Sequence, residues 1–216
     1  MINTDLYYEQ VRRKSIWTNG DFKIALDFIK AHLGTLLEIG AAGSRLREFV
    51  SNYVGLDPYL MEGLVRGAWE HLPFPDNSFD IIFSSQTLQM VSDPRRCLEE
   101  SMRVVKPGGY IIIIAPNLER PWSTVPSTRF YSRAQHVRLF LMRLWDSIAR
   151  LFGAMPFRVI SQNYIEVKGV FENPDDDMKY ISSACEVARL FRKNNFRIID
   201  RKGYLAGGMR FIFQKP

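Results

Sequence analysis

Two cysteines in 216 residues, Cys97 and Cys185, are too few and too far apart to form a disulfide framework. Neither has a histidine or another cysteine at ligand spacing, so no structural zinc site is suggested and no metal is expected. Long hydrophobic runs are also missing. The longest, around Ile111 to Ala115, has the length of a buried strand and falls far short of a bilayer span. The polar, tyrosine-rich start, Met1 to Gln10, lacks the continuous apolar stretch of a signal peptide. Internal repeats and low-complexity tracts are absent. A reducing, cytoplasmic setting is therefore expected.

What is present is ordinary globular material: 46% hydrophobic and 24% charged residues, enough for one sizeable core. The net charge of +6 suits an acidic partner such as an anionic lipid or a phosphorylated carrier. Because the basic residues are scattered along the chain, nucleic acid is not the expected partner.

Strand and helix signals alternate. Asn19-Gly20-Asp21 offers caps for a helix from about Phe22 to Leu33, with Gly34 as its stop. Strands are predicted at Thr35 to Ile39, Tyr53 to Leu56, roughly Leu64 to Gly67, Phe79 to Ser84 and Tyr110 to Ala115. Asp93-Pro94 caps the helix between the last two, and Lys106-Pro107-Gly108-Gly109 ends it. Ser183-Ala184-Cys185-Glu186 reads as a capping box for a helix to about Asn194, followed by strands at Phe196 to Asp200 and Met209 to Gln214. This alternation predicts an α/β fold built on a parallel sheet.

The alternation breaks between Asn117 and Tyr180, a stretch too long for a simple loop. It is read as a helical insertion after the fifth strand. The organisation is thus an N-terminal helical segment (1–34), a cofactor-binding core (35–116), a substrate-covering insertion (117–180) and a C-terminal helix with a strand pair (181–216). A helix from about Arg133 to Phe152 places Val137, Phe140, Leu141, Leu144, Trp145, Ile148, Leu151 and Phe152 on one face. His136, Arg143, Asp146 and Arg150 lie opposite. Two readings follow: a lid whose apolar face packs on the sheet, which is preferred, or peripheral membrane contact through 133–152.

The chemistry-bearing residues gather at predicted strand ends. Glu38 puts a carboxylate on a strand that is otherwise apolar, which is costly without a partner. Gly40-Ala41-Ala42-Gly43 follows as a small-residue turn that lets the backbone approach a ligand. Asp57 and Pro58 close the second strand nineteen positions after Glu38, where a carboxylate can accept hydrogen bonds from a ribose diol. A nicotinamide-binding Gly-x-Gly-x-x-Gly would need glycine where Ala42 and Arg45 stand, which sets a dehydrogenase aside.

Four segments, in order, resemble the class I S-adenosylmethionine-dependent methyltransferases of the type 11 group, a resemblance that implies an α/β fold with a Rossmann-like, doubly wound, seven-stranded and mostly parallel sheet whose last strand is antiparallel. The segments are Leu37 to Ser44, Val54 to Asp57, Glu70 to Asp80, and Arg103 to Tyr110. The resemblance implies that Glu38, Gly40, Ala41, Ala42, Gly43, Asp57 and Pro58 border S-adenosylmethionine, and that Ser85 and Gln86 after the fourth strand face its methionine end. It departs from the family at Ala42 and Ser44, where glycines are usual and side chains crowd the cofactor. A second departure is Ala68-Trp69, where an acidic residue commonly meets adenine. Adenine recognition then falls to main-chain groups there, with the Trp69 indole as a stacking surface. Asn117, Glu119, Arg120 and Tyr131 are expected at the acceptor, and His136 is the candidate base for methyl transfer to the oxygen of a small-molecule or carrier-linked acceptor. The rival, resting on Ala42, Ser44 and Ala68, is a non-catalytic protein on the same fold.

Overall fold

A computed structural model describes residues 20–41, 44, 46–58, 62–123, 128, 131–160, 178–203 and 207–216. Helix α1, Gly20–Ala31, starts slightly ahead of its expected position and buries Phe22, Ala25 and Ile29 along one side. Gly34 lies beyond the helix end and serves the sheet instead. A Cβ there would stand 2.5 Å from the Cβ of Asp80. The Asp80 carboxylate accepts hydrogen bonds from the Thr35 N–H and the Lys106 ammonium, each at 2.8 Å.

Seven strands follow: β1 Leu36–Ile39, β2 Tyr53–Asp57, β3 Val65–Arg66, β4 Phe79–Ser85, β5 Val105–Pro116, β6 Arg197–Lys202 and β7 Gly208–Gln214. Their order is β3-β2-β1-β4-β5-β7-β6. The first five strands run parallel, and β7 is antiparallel to both neighbours, as the family resemblance implies. Period-two alternation divides the strand side chains between two layers. Leu36, Ile81, Phe83, Ile112 and Ile114 pack with α1, while Leu37, Ile39, Ile82, Ile111 and Ile113 face the other cluster.

That second layer contains α2, Pro94–Val104, and α4, Ala184–Lys193. Asp93 caps α2 by accepting the Arg96 N–H at 2.9 Å. Ser183 caps α4, but the capping box is only half closed: its Oγ accepts the Glu186 N–H, while the Glu186 carboxylate is drawn inward to the Arg150 guanidinium. Strand β5 begins earlier than predicted because Val105 pairs with Phe79. The chain then bulges through Lys106 to Gly109, and pairing resumes at Ile81 and Tyr110.

The insertion carries the main correction. Helix α3, Arg133–Leu151, forms where expected, with a capping box between Ser132 and Gln135. Its orientation is reversed. The apolar face expected against the sheet points to solvent, with Val137 58%, Trp145 68% and Leu151 82% exposed. Arg143, Asp146 and Arg150 are buried instead. Each buried charge has partners, although the Arg143 Nε is left without one. Arg143 donates to the Leu118 and Ser123 carbonyls at 2.7 Å and also to that of Arg120. Asp146 takes a two-pronged contact from Arg158 at 2.7 and 2.9 Å, and Arg150 meets Glu186 at 2.6 Å. Leu139 completes this side among Leu118, Ile160, Met178 and Ile181. Breaking a buried ion pair by removing one partner costs about 3–5 kcal/mol. Two such pairs, with the Arg143 contacts to carbonyls, line the inward side of the helix.

Candidate functional site

The first turn is built from the sheet outward. In register, Glu38 of β1 lies beside Gly55 of β2, and Ile39 beside Leu56. The Gly40 and Ala41 N–H groups then both donate to the Leu56 carbonyl, at 2.9 and 3.1 Å. Gly40 has φ of 76°, and a Cβ there would fall 2.1 Å from the Thr87 hydroxyl oxygen, so no other residue fits. The Thr87 hydroxyl in turn donates to the Ser85 and Ile39 carbonyls, tying the turn to the end of β4.

Glu38 is buried on this edge, and its partners are hydroxyls. The Tyr53 phenol donates to its carboxylate at 2.7 Å. Gly55 makes the reach possible, since a Cβ there would come within 2.7 Å of the Tyr53 phenol oxygen. Ser44 is the second partner, and its hydroxyl oxygen also accepts the Leu46 N–H at 3.1 Å. The Ser44 side chain thus serves both Glu38 and the backbone. Burial pushes the Glu38 carboxyl up to about 7, against the downward pull of Tyr53 and Ser44. Tyr53 went unnoticed in the sequence. A Tyr-x-Gly on the strand next to a buried carboxylate is the signal that marks it.

At the end of β2, Asp57 is buried and its carbonyl accepts the Gly67 N–H at 3.0 Å, while Pro58 is exposed. Ala42 and Gly43 lie outside the described residues. At the end of β4, the Ser84 and Ser85 hydroxyls are buried without hydrogen-bond partners, as is the Gln89 side-chain oxygen. Gln86 has φ of 56°, a conformation that costs energy for any residue but glycine. It is held there by the Gln89 amide, which donates to the Gln86 carbonyl at 3.0 Å and to its side-chain oxygen at 3.2 Å. The β1 and β4 ends thus bring together a buried carboxylate bonded to hydroxyls, a glycine-dependent turn and unpaired hydroxyls.

Residues 37–113 match the family model described as "Methyltransferase domain". That segment is a methyltransferase domain of the type 11 group. Among curated relatives, the demethylmenaquinone methyltransferase of Lysinibacillus sphaericus is 28% identical over 162 residues, 74% of this chain and 60% of that protein. A phthiotriol/phenolphthiotriol dimycocerosates methyltransferase of Mycobacterium ulcerans is 37% identical over 78 residues, 36% of this chain and 27% of that protein. The chain therefore spans less than two thirds of the length of either. The solved 1,6-didemethyltoxoflavin-N1-methyltransferase of Burkholderia thailandensis superposes with a TM-score of 0.58 at 14% identity, covering 98% of this chain and 84% of that one. Its structure holds S-adenosylhomocysteine, and the likeness to this chain is one of fold.

The remaining residues expected around the methyltransferase domain divide sharply. Trp69 is core: its indole is 3% exposed and donates to the Ser101 hydroxyl at 2.8 Å. It offers no stacking surface, so the backbone at Ala68 and Trp69 is what remains for an adenine. Asn117 donates to the Gly203 carbonyl and accepts the Ala184 N–H at 3.2 Å. Glu119 accepts from the Ser183 hydroxyl at 3.0 Å and the Cys185 N–H at 3.2 Å. Both bond to the start of α4 or its approach. Arg120 is half-buried, its carbonyl taken by Arg143. Tyr131 is partly buried beside the cluster of Leu118 and Leu139, where burial raises its phenol. His136 sits exposed at the start of α3, its ring edge-on to Tyr131 at 5.9 Å and its Nδ1 at 3.1 Å from the Ser132 carbonyl. Among the described residues, no three His, Cys, Asp or Glu side chains group to hold a metal ion.

Proposed function

We propose that the chain is an S-adenosylmethionine-dependent methyltransferase acting on a small-molecule or carrier-linked acceptor. One observation carries the reading: Glu38 is buried at the carboxyl edge of the sheet with hydroxyl partners and a carboxyl near 7, a site that gains most from an ammonium group. Bound S-adenosylmethionine supplies that ammonium and a sulfonium-activated methyl group. Tyr53 and Ser44 orient the Glu38 carboxylate, and Gly40 clears the backbone for close approach. Asp57 accepts hydrogen bonds from a ribose diol, and Ser85 and Gln86 border the methionine end, where the unpaired Ser85 hydroxyl fits a polar ligand.

Positioning is the main catalytic task in such a displacement. Methylation at oxygen is the chemistry we propose. His136, the candidate base, is exposed and turned to its own helix. This arrangement suits an acceptor whose oxygen is itself acidic, as in an enol or phenol, and needs little help in losing its proton. The relatives named for demethylmenaquinone and for phthiotriol dimycocerosates support an apolar acceptor over a free polar one.

Calorimetric titration with S-adenosylmethionine tests the reading. Binding is expected, and Asp57→Ala should weaken it roughly 10- to 100-fold through the lost charge-assisted bonds. Well-folded protein that binds no S-adenosylmethionine would overturn the reading and leave the non-catalytic alternative.

A further inference from the structure

The outward face of α3 is used by neither the sheet nor the cofactor edge. Its apolar side chains recur from Val137 to Phe152 at helical spacing. Eight large side chains exposed by 40% or more line this face, and a contiguous exposed apolar patch marks an interaction surface. We propose that this face docks on the surface of an anionic lipid bilayer.

Charge decides between occupants. Arg133 and Arg138 are exposed at the start of the helix. Arg189 lies at its other end, donating to the Ala154 and Arg150 carbonyls. The one acid in the helix, Asp146, is buried against Arg158. The described surface around the strip is therefore cationic at both ends and carries no carboxylate from α3. Pairing two copies through this face sets like charges together in either direction. A parallel pair brings Arg133 to Arg133, and an antiparallel pair brings it to Arg189. Anionic headgroups neutralise both ends at once. Trp145, midway along the strip, has the amphipathic ring that favours the boundary between headgroups and acyl chains.

The opposite side of the helix keeps this face out. Rotating the strip inward would break the Arg143 contacts to three carbonyls and the pairs made by Asp146 and Arg150. The outward display is thus built into the packing. No described helix is long and apolar enough to cross a membrane, so the contact is one of surface docking.

Co-sedimentation of the full chain with vesicles tests the proposal. Binding is expected to mixed phosphatidylglycerol and phosphatidylcholine vesicles at low salt, with little to phosphatidylcholine alone, and it should weaken as salt rises. A double variant, Leu141→Glu with Trp145→Glu, should lower the partition at least tenfold while keeping the thermal midpoint. Replacing Arg133 and Arg138 by Ser should cost about fivefold each. Protein that stays in the supernatant at low salt, or an unchanged partition in the double variant, would overturn the proposal. A dimer that the double variant splits, with no lipid binding, assigns the face to a second copy and overturns it too. S-adenosylmethionine titration reads the cofactor edge separately, so failure here leaves the proposed activity untouched.

Discussion

Two buried glutamates show opposite designs. Glu186, on α4, faces the Arg150 guanidinium at 2.6 Å and also accepts from the Phe157 N–H and the Tyr180 phenol. Glu38, on β1, faces the hydroxyls of Tyr53 and Ser44. The first is a closed account in which charge meets charge inside the chain. Among the described residues the second is held in place by neutral donors alone, which suits the proposed ammonium ligand. A buried carboxylate marks a ligand site when its own fold leaves it without a counter-charge, and marks architecture when the fold supplies one.

Replacing each by its neutral isostere should separate the two most strongly. Glu186→Gln leaves Arg150 buried without its counter-charge and should lower the unfolding free energy by about 3–5 kcal/mol in urea denaturation. Glu38→Gln should do the reverse. Its carboxyl is raised from 4.5 to about 7 in the fold, so the folded chain holds this proton more tightly than the unfolded chain. Burial of the charged form therefore costs nothing below pH 4.5, grows as pH rises, and is complete above about 7. Removing the charge should raise stability at pH 8 by up to about 3 kcal/mol, less whatever its hydrogen bonds contribute. A Glu38→Gln protein less stable than the parent at pH 8 would break the contrast.

The same variant sharpens it on the binding side, where S-adenosylmethionine affinity should fall roughly 10- to 100-fold in calorimetry at pH 8. In the parent protein an ammonium ligand selects the ionised carboxylate. Affinity should then weaken as pH drops below about 7, by up to tenfold per pH unit, while the Gln variant stays flat. The smallest effect belongs to the outer face of α3, where Leu144 is 40% exposed. Leu144→Asp should shift the unfolding free energy by no more than about 0.5 kcal/mol. A larger loss would mean that the face packs on something in the folded chain.

Whatever depends on local spacing could be read directly from the sequence. Glu38, the Gly40 turn and Asp57 stand at strand ends that alternation alone locates, and the order of elements gave the sheet. The helix at 133–151 was legible in the same way. Its orientation was not, because the rule that apolar faces turn inward assumes nothing stronger acts on the polar side. The partners that reverse it, Leu118, Arg158 and Glu186, are distant along the chain or lie on other elements. Trp69 misled for a related reason: its hydrogen-bond partner, Ser101, is thirty-two residues away. Tyr53 reaches Glu38 only because register sets Gly55 beside it, and register is invisible before strands are paired.

Gln89 joins two regions that the chain keeps far apart. Its side-chain amide fixes the left-handed Gln86, and its carbonyl accepts the N–H groups of both Lys179 and Tyr180 at the far end of the insertion. For anyone recombining such proteins, the insertion is therefore not a cassette. Moving 117–180 onto another scaffold without the Gln86–Gln89 corner would leave its exit unmoored, and swapping that corner alone would unsettle that exit, about ninety residues downstream. Successful chimaeras should carry both segments from the same parent.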